Sequence, residues 1–205
     1  MGLQTRQKLS SLGPNFASTP QARQAPSMAP KLAPARARPK ARQPPGLVVS
    51  DAGPLISLGR LDLLQVLPAL FAQVQVPQQV MDECLVKPGQ RDTHNIQAAV
   101  SAGWLHLCGT VAPLLPLGLE LGETAAISRA LEIGAGLLAD DQAARNMARA
   151  NGLDVIGTLG VLVLAKRAGL VGAVAALIEN LRSSGQRLSQ VAIAEALTLA
   201  RETAP

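Results

Sequence analysis

The segment that most constrains this chain is Leu47–Leu58, LVVSDAGPLISL. An apolar run stops at Asp51, a turn of small residues follows, and Pro54 then opens a helical pattern. A short, continuously apolar run is the pattern of a strand buried on both faces, as in parallel sheets. Short apolar runs recur at Leu137–Ala139 and Asp154–Ile156, each followed by a helical pattern. Strands alternating with helices form parallel βαβ units, so the expected class is an α/β sandwich. Ligands of such sheets bind at the carboxyl ends of the strands, where Asp51 stands.

The chain has 205 residues, room for one domain of ordinary size and an appendage. Hydrophobic residues make up 48% and aromatic residues 1%. The core must therefore be built from Ala, Leu and Val, which leaves almost no aromatic platform for stacking bases. Cys84 and Cys108 make neither a disulfide framework nor a zinc site, and a reducing cytoplasm is the default location. No membrane association is expected: the apolar run Leu159–Ala165 is stopped by Lys166 and Arg167, and no secretory signal is present.

The formal charge of +5 is unevenly placed. Residues 1–45 carry eight Lys or Arg and no acid, whereas the remainder carries eleven basic against fourteen acidic residues. Residues 1–45, rich in Pro, Ala, Gln, Ser and Arg, read as a disordered basic tail, with the folded domain over 46–205. A nucleic-acid-attracting arm, an organelle transit peptide, and a dispensable tail or misassigned start are the readings this composition admits.

Within the domain, strands are expected at Leu47–Ser50, Gln73–Val76, Trp104–Leu107, Leu137–Ala139 and Asp154–Ile156. Helices are expected over Leu55–Leu70 with a break near Gly59, from Pro77, and over Asn95–Ala102, Gly122–Glu132 and Asp141–Asn151. Three more follow over Thr158–Ala168, Val171–Ser183 and Ser189–Glu202, while the Pro-rich Val111–Leu119 reads as a loop.

This order places Asp51, Asp140 and Asp141 just beyond strand ends, on one edge of the sheet. Glu123, in the first turn of the helix feeding the Leu137 strand, points to the same edge. Glu83 reaches it only if its helix tilts inward. Carboxylates converging without His or Cys suit a hard cation, Mg²⁺ or Mn²⁺. Such an ion supports phosphodiester hydrolysis. Asp51, Glu123 and one of Asp140 and Asp141 would hold the principal ion, and Glu83 would assist a second ion or the attacking water.

Each acid also has a plain structural reading. Glu123 complements a helix dipole, one of Asp140 and Asp141 caps the next helix, and Glu83 with Asp82 forms a solvated face. Asp51 escapes this reading if Pro54 is the first helical residue and Gly53 the cap. Arg145, one helical turn after Asp141, suits contact with a substrate phosphate or orientation of Asp141; the bland alternative is an i,i+4 ion pair, favoured for Arg149. His94 and His106 have no companion at ligand spacing.

VVSDAGPLI over 48–56, PQQVMDE over 77–83, LGETAAI over 121–127, LADDQAAR over 138–145 and VIGTLGV over 155–161 follow one another in this order. Together they resemble a subfamily of PIN domains, the VapC-like group of predicted nucleic-acid-binding proteins, over about residues 47–200. The resemblance implies a three-layer α/β sandwich with a short, mostly parallel five-stranded sheet, and Mg²⁺-dependent ribonuclease chemistry. It also implies a homodimeric toxin with a small antitoxin partner. By motif, Asp51, Glu83, Glu123 and Asp141 match the acidic quartet, with Asp140 beside it. Two departures stand out: Ala52 and Gly53 offer no hydroxyl after the first acid, and Glu123 is longer than the aspartate usual in the toxins. The expected function is an endoribonuclease; the alternative is a catalytically silent module that binds nucleic acid or a protein.

Overall fold

Leu47–Ser50 is the first strand, β1, in the computed structural model, which describes residues 46–114 and 118–202. The basic tail and the middle of the Pro-rich loop lie outside the described residues. Val48, Val49 and Ser50 are buried, as a central strand requires. Helix α1 (Ala52–Arg60) follows at once, then the short α2 (Val66–Leu70) and β2 (Gln73–Val76). In β2 the valines are buried and the glutamines half-buried. Next come α3 (Gln78–Cys84), α4 (Arg91–Ser101) and the edge strand β3 (His106–Leu107). The second half runs α5 (Leu121–Ile133), β4 (Gly136–Leu138), α6 (Gln142–Ala150), β5 (Val155–Ile156), α7 (Thr158–Arg167), α8 (Val174–Ser183) and α9 (Gln190–Ala200).

The five strands form one sheet in the order β3-β2-β1-β4-β5, with every neighbouring pair parallel. Helix α1 packs against α3 and α4, α3 also packs against α5, and α5 packs against β1, β4 and α6. Helix α7 packs against α1 and α2, and α8 and α9 pack on α7. The expected α/β sandwich is present. Its core is aliphatic: Val49, Leu55, Leu58, Leu67, Ile127, Leu138 and Leu162 have no or almost no exposed surface.

The chain leaves β1 toward β2 and returns on the other side through β4. The carboxyl ends of β1 and β4 therefore flank a topological switch point, where such sheets open a crevice. The Asp51 N–H donates to Leu138 O at 2.9 Å and ties the two strand ends together.

Several boundaries differ from expectation, each for a physical reason. Helix α1 begins at Ala52, so Pro54 is its third residue; a missing N–H costs nothing anywhere in a first turn. Asp51, not Gly53, thus holds the N-cap position, yet its side chain makes no capping hydrogen bond. The helix expected over Leu55–Leu70 is divided in two. Asp62 turns the chain in the left-handed region at φ 55°, and Arg91 and Asn95 anchor its carboxylate. Both anchors sit on α4, which starts at Arg91, ahead of the expected Asn95. Ser189 occupies the N-cap position of α9 but makes no side-chain cap.

Candidate acidic active site

Asp51 sits at the carboxyl end of β1 with 6% of its surface exposed, and its Oδ1 is buried without a hydrogen-bond partner among the described residues. Burial pushes its carboxyl up to about 7; the Ala52 N–H pulls the other way, and Glu83, Glu123 and Asp140 add to the rise. Three acids distant from Asp51 in sequence thus act on it through space. An uncompensated buried carboxylate is costly, so this position needs a cation or a proton.

Glu83 reaches the site. A Cβ on Gly122 would stand 2.7 Å from Glu83 Oε2, so the carboxylate lies on bare backbone at the first turn of α5. Any side chain at Gly122 would displace it. Burial and then Glu120 raise the Glu83 pKa. Its neighbour Asp82 instead accepts from Gln78 Nε2 at 2.7 Å on an exposed face, which separates the two acids that periodicity left equivalent.

Glu123 is the third residue of α5, and its Oε2 accepts from the Glu120 N–H at 3.2 Å. The structural reading of Glu123 thus holds for one oxygen. Burial raises its pKa; the Glu120 N–H opposes, and Asp141, Glu120 and Glu83 reinforce the rise. Cys84, beneath this cluster, registers the same field: burial first, then Glu83, Asp51 and Asp92, push its thiol up to about 12. Such a thiol is inert at neutral pH.

The two adjacent aspartates take different roles. Asp141 is the N-cap of α6, with Oδ1 accepting from Ala143 N at 2.7 Å and Ala144 N at 2.9 Å. Asp140 faces the other way, toward α7: Thr158 N donates to its Oδ1 at 2.7 Å and Thr158 Oγ1 to its Oδ2 at 2.5 Å. A Cβ on Gly53 would meet Asp140 Cβ at 3.4 Å, which sets Asp140 against the first turn of α1 beside Asp51. Asp141 acts on Glu123 instead.

Arg145 makes no ion pair among the described residues, and its Nε is buried without an acceptor. Its Nη1 and Asp140 Oδ1 stand 3.7 Å and 3.0 Å from the point a Gly157 Cβ would occupy. A guanidinium with unspent donors therefore lies beside the acids without neutralising them. The i,i+4 pair with Asp141 does not form. Arg149 and His94 are exposed, and His106 lies on the edge strand away from the cluster.

Of the sequence-predicted residues, Glu83, Glu123 and Asp140 act on Asp51, Asp141 acts on Glu123, and Arg145 stands with Asp140 beside Gly157. Among the described residues, no three of the acids stand close enough together to hold a metal ion as they are placed. The all-oxygen donor set, the orphaned Asp51 oxygen and the bare backbone at Gly53 and Gly122 nevertheless fit a hard divalent cation. Sequence reasoning missed Glu120, which raises the pKa of two site acids, and Thr158. The signal for Thr158 was present in the VIGTLGV segment, but its use depends on β5 lying beside β4.

A short all-parallel sheet with acids beyond the ends of β1 and β4 defines the class as an α/β sandwich with an anionic strand-end site. The chain belongs to the PIN domain family, whose model matches residues 47–202. No curated protein matches the chain. PIN domains are, as a class, nucleases that hydrolyse nucleic-acid phosphodiesters and typically use divalent metals. No helix among the described residues is long and apolar enough to cross a membrane.

Proposed function

We propose that this chain is a Mg²⁺- or Mn²⁺-dependent endoribonuclease whose acidic crevice hydrolyses RNA phosphodiesters. The observation that carries this reading is Asp51: a buried carboxylate with an unpartnered oxygen, surrounded by further carboxylates and by no paired cation. Asp51, Glu123 and the Asp140/Asp141 pair would hold the ion. When bound, such an ion supplies a more acidic attacking water and neutralises charge on the phosphate.

The chain's own residues divide the remaining work. Glu83 makes no side-chain hydrogen bond among the described residues, and its raised pKa suits proton acceptance from the water. Arg145, half-buried beside Asp140 and without an ion pair among the described residues, has a guanidinium available to a phosphate oxygen. The scarcity of aromatic residues fits a substrate held by its backbone rather than by base stacking.

The finer setting is that of a cytoplasmic toxin, acting as a homodimer and neutralised by a small antitoxin. It rests on the order of the five motifs. Leu121 and Val86, at 81% and 70% exposure, are sequence neighbours of the Glu83–Gly122 contact and offer apolar surface to a protein partner.

The test is cleavage of single-stranded RNA by full-length protein with Mg²⁺ and with EDTA, comparing wild type and Asp51→Asn. Cleavage that needs metal and disappears in D51N supports the reading. No cleavage by folded protein, or cleavage that persists in EDTA, overturns it. Growth arrest on expression, relieved by D51N, would support the toxin setting.

A further inference from the structure

Resting on the metal reading above, we infer that Thr158 is a positioning residue. It fixes the Asp140 carboxylate in the crevice and so makes Asp140, rather than Asp141, the inner member of the pair toward a divalent cation.

The geometry around Asp140 is specific. Thr158 is fully buried at the first position of α7. Both of its donors go to one carboxylate eighteen residues earlier in the chain: N–H to Oδ1 at 2.7 Å and Oγ1–H to Oδ2 at 2.5 Å. Each oxygen of Asp140 is thereby held by one hydrogen bond and keeps a second acceptor direction open. Glycine at the preceding position leaves room for this approach, since a Cβ on Gly157 would press on the carboxylate, 3.0 Å from Oδ1 and 3.4 Å from Ala139 O.

The same contacts fix what lies opposite. Asp140 packs on the first turn of α1, where Gly53 leaves space, and raises the pKa of Asp51 across the crevice. Asp141, exposed, spends its Oδ1 on the amides of its own helix. Two adjacent acids of equal chemistry are thus sorted by their partners. One is a helix cap. The other is clamped from behind and faces the Asp51 side.

The inference is tested by Mn²⁺ binding to the full chain, followed by the electron paramagnetic resonance signal of free Mn²⁺. Thr158→Val is expected to weaken Mn²⁺ binding by about tenfold, and Thr158→Ser by about twofold or less, in the range for groups that orient a metal ligand. Because Thr158 acts through Asp140, T158V combined with D140N should bind no more weakly than D140N alone. A purely structural threonine would give losses that add. If T158V folds poorly by circular dichroism, Gly157→Ala replaces it: its methyl displaces Asp140 while the hydroxyl remains, and the same non-additivity is expected. Wild-type affinity in T158V, or additive losses in the double variant, overturns the inference. Equal Mn²⁺ binding by wild type and D51N overturns the metal reading, and this inference with it.

Discussion

Two carboxylates in this fold, Asp51 and Glu202, show opposite solutions to the same problem. Glu202, just past α9, receives the Lys166 ammonium and the N–H groups of Val174 at 2.7 Å and Ala175 at 2.8 Å. Lys166 and those amides hold its carboxyl down at about 2. Asp51 has a buried oxygen with no donor, and burial with neighbouring acids raises it to about 7. The chain can satisfy a carboxylate fully where it serves structure. Leaving Asp51 unsatisfied is therefore a property of its site and not a shortage of cations, since Arg145 stands nearby with donors unspent. The difference marks one acid as a clasp between helices and the other as a place for something the chain does not supply.

Asp51→Asn should break the comparison most strongly. RNA cleavage is expected to fall by at least ~100-fold, more than the loss for groups that merely orient a ligand. Metal-free stability should move the other way. Between about pH 4 and pH 7 the folded chain keeps the Asp51 proton that the unfolded chain has released, so wild-type stability falls as pH rises through that window. The displacement corresponds to roughly 4 kcal/mol at most, complete above about pH 7. Metal-free D51N should lack this slope and be more stable than wild type at pH 8. Denaturant melts in EDTA at several pH values measure it; a parallel slope in D51N would refute the assignment.

Metal addition sharpens the same point from the other side. At 100 times its Kd, Mg²⁺ should stabilise wild type by about 2.7 kcal/mol and D51N by much less. The gain should be larger at pH 8 than at pH 5, because a protonated Asp51 must release its proton to accept a cation. Thermal melts with and without Mg²⁺ at the two pH values check both statements.

Glu202→Gln tests the satisfied acid. Loss of the Lys166 pair and weakening of the contacts to the start of α8 should cost about 1–2 kcal/mol, the range for removal of a helix cap. Wild-type Glu202 stabilises the fold above its unfolded pKa, and that contribution is lost as pH falls from about 4.5 toward about 2. E202Q should flatten this acid limb and leave the Mg²⁺ response intact.

What the sequence made legible follows the same division. The β1 run and its terminal aspartate were readable because burial on both faces leaves a continuous apolar pattern, and because connectivity alone fixes which sheet edge Asp51 and Asp140 share. Glu83 was ambiguous because its contact is with the backbone of Gly122, a tertiary approach that no helical period reports. Thr158 was missed for a like reason: it stands in the VIGTLGV segment, but its partner lies past another strand's end, and its position alone reads as an ordinary helix start. Pro54 misled for a local reason, since proline is tolerated throughout the first turn and not only at its opening.

The smallest expected effect concerns Asp141, whose role sequence could not separate from that of Asp140. Asp141→Ala removes the acceptor for the Ala143 and Ala144 amides and should destabilise the chain by about 1 kcal/mol, the usual cost of an N-cap. It also removes a charge that helps raise Glu123, so the Glu123 carboxyl should titrate lower in the variant than in wild type. Carbon-detected NMR of side-chain carboxyls would read that shift directly, and urea melts the stability. An unchanged Glu123 with the expected loss of stability would confine Asp141 to capping. A lowered Glu123 would show that the cap also belongs to the electrostatic field of the crevice, which is where the boundary between the two kinds of carboxylate in this fold is least sharp.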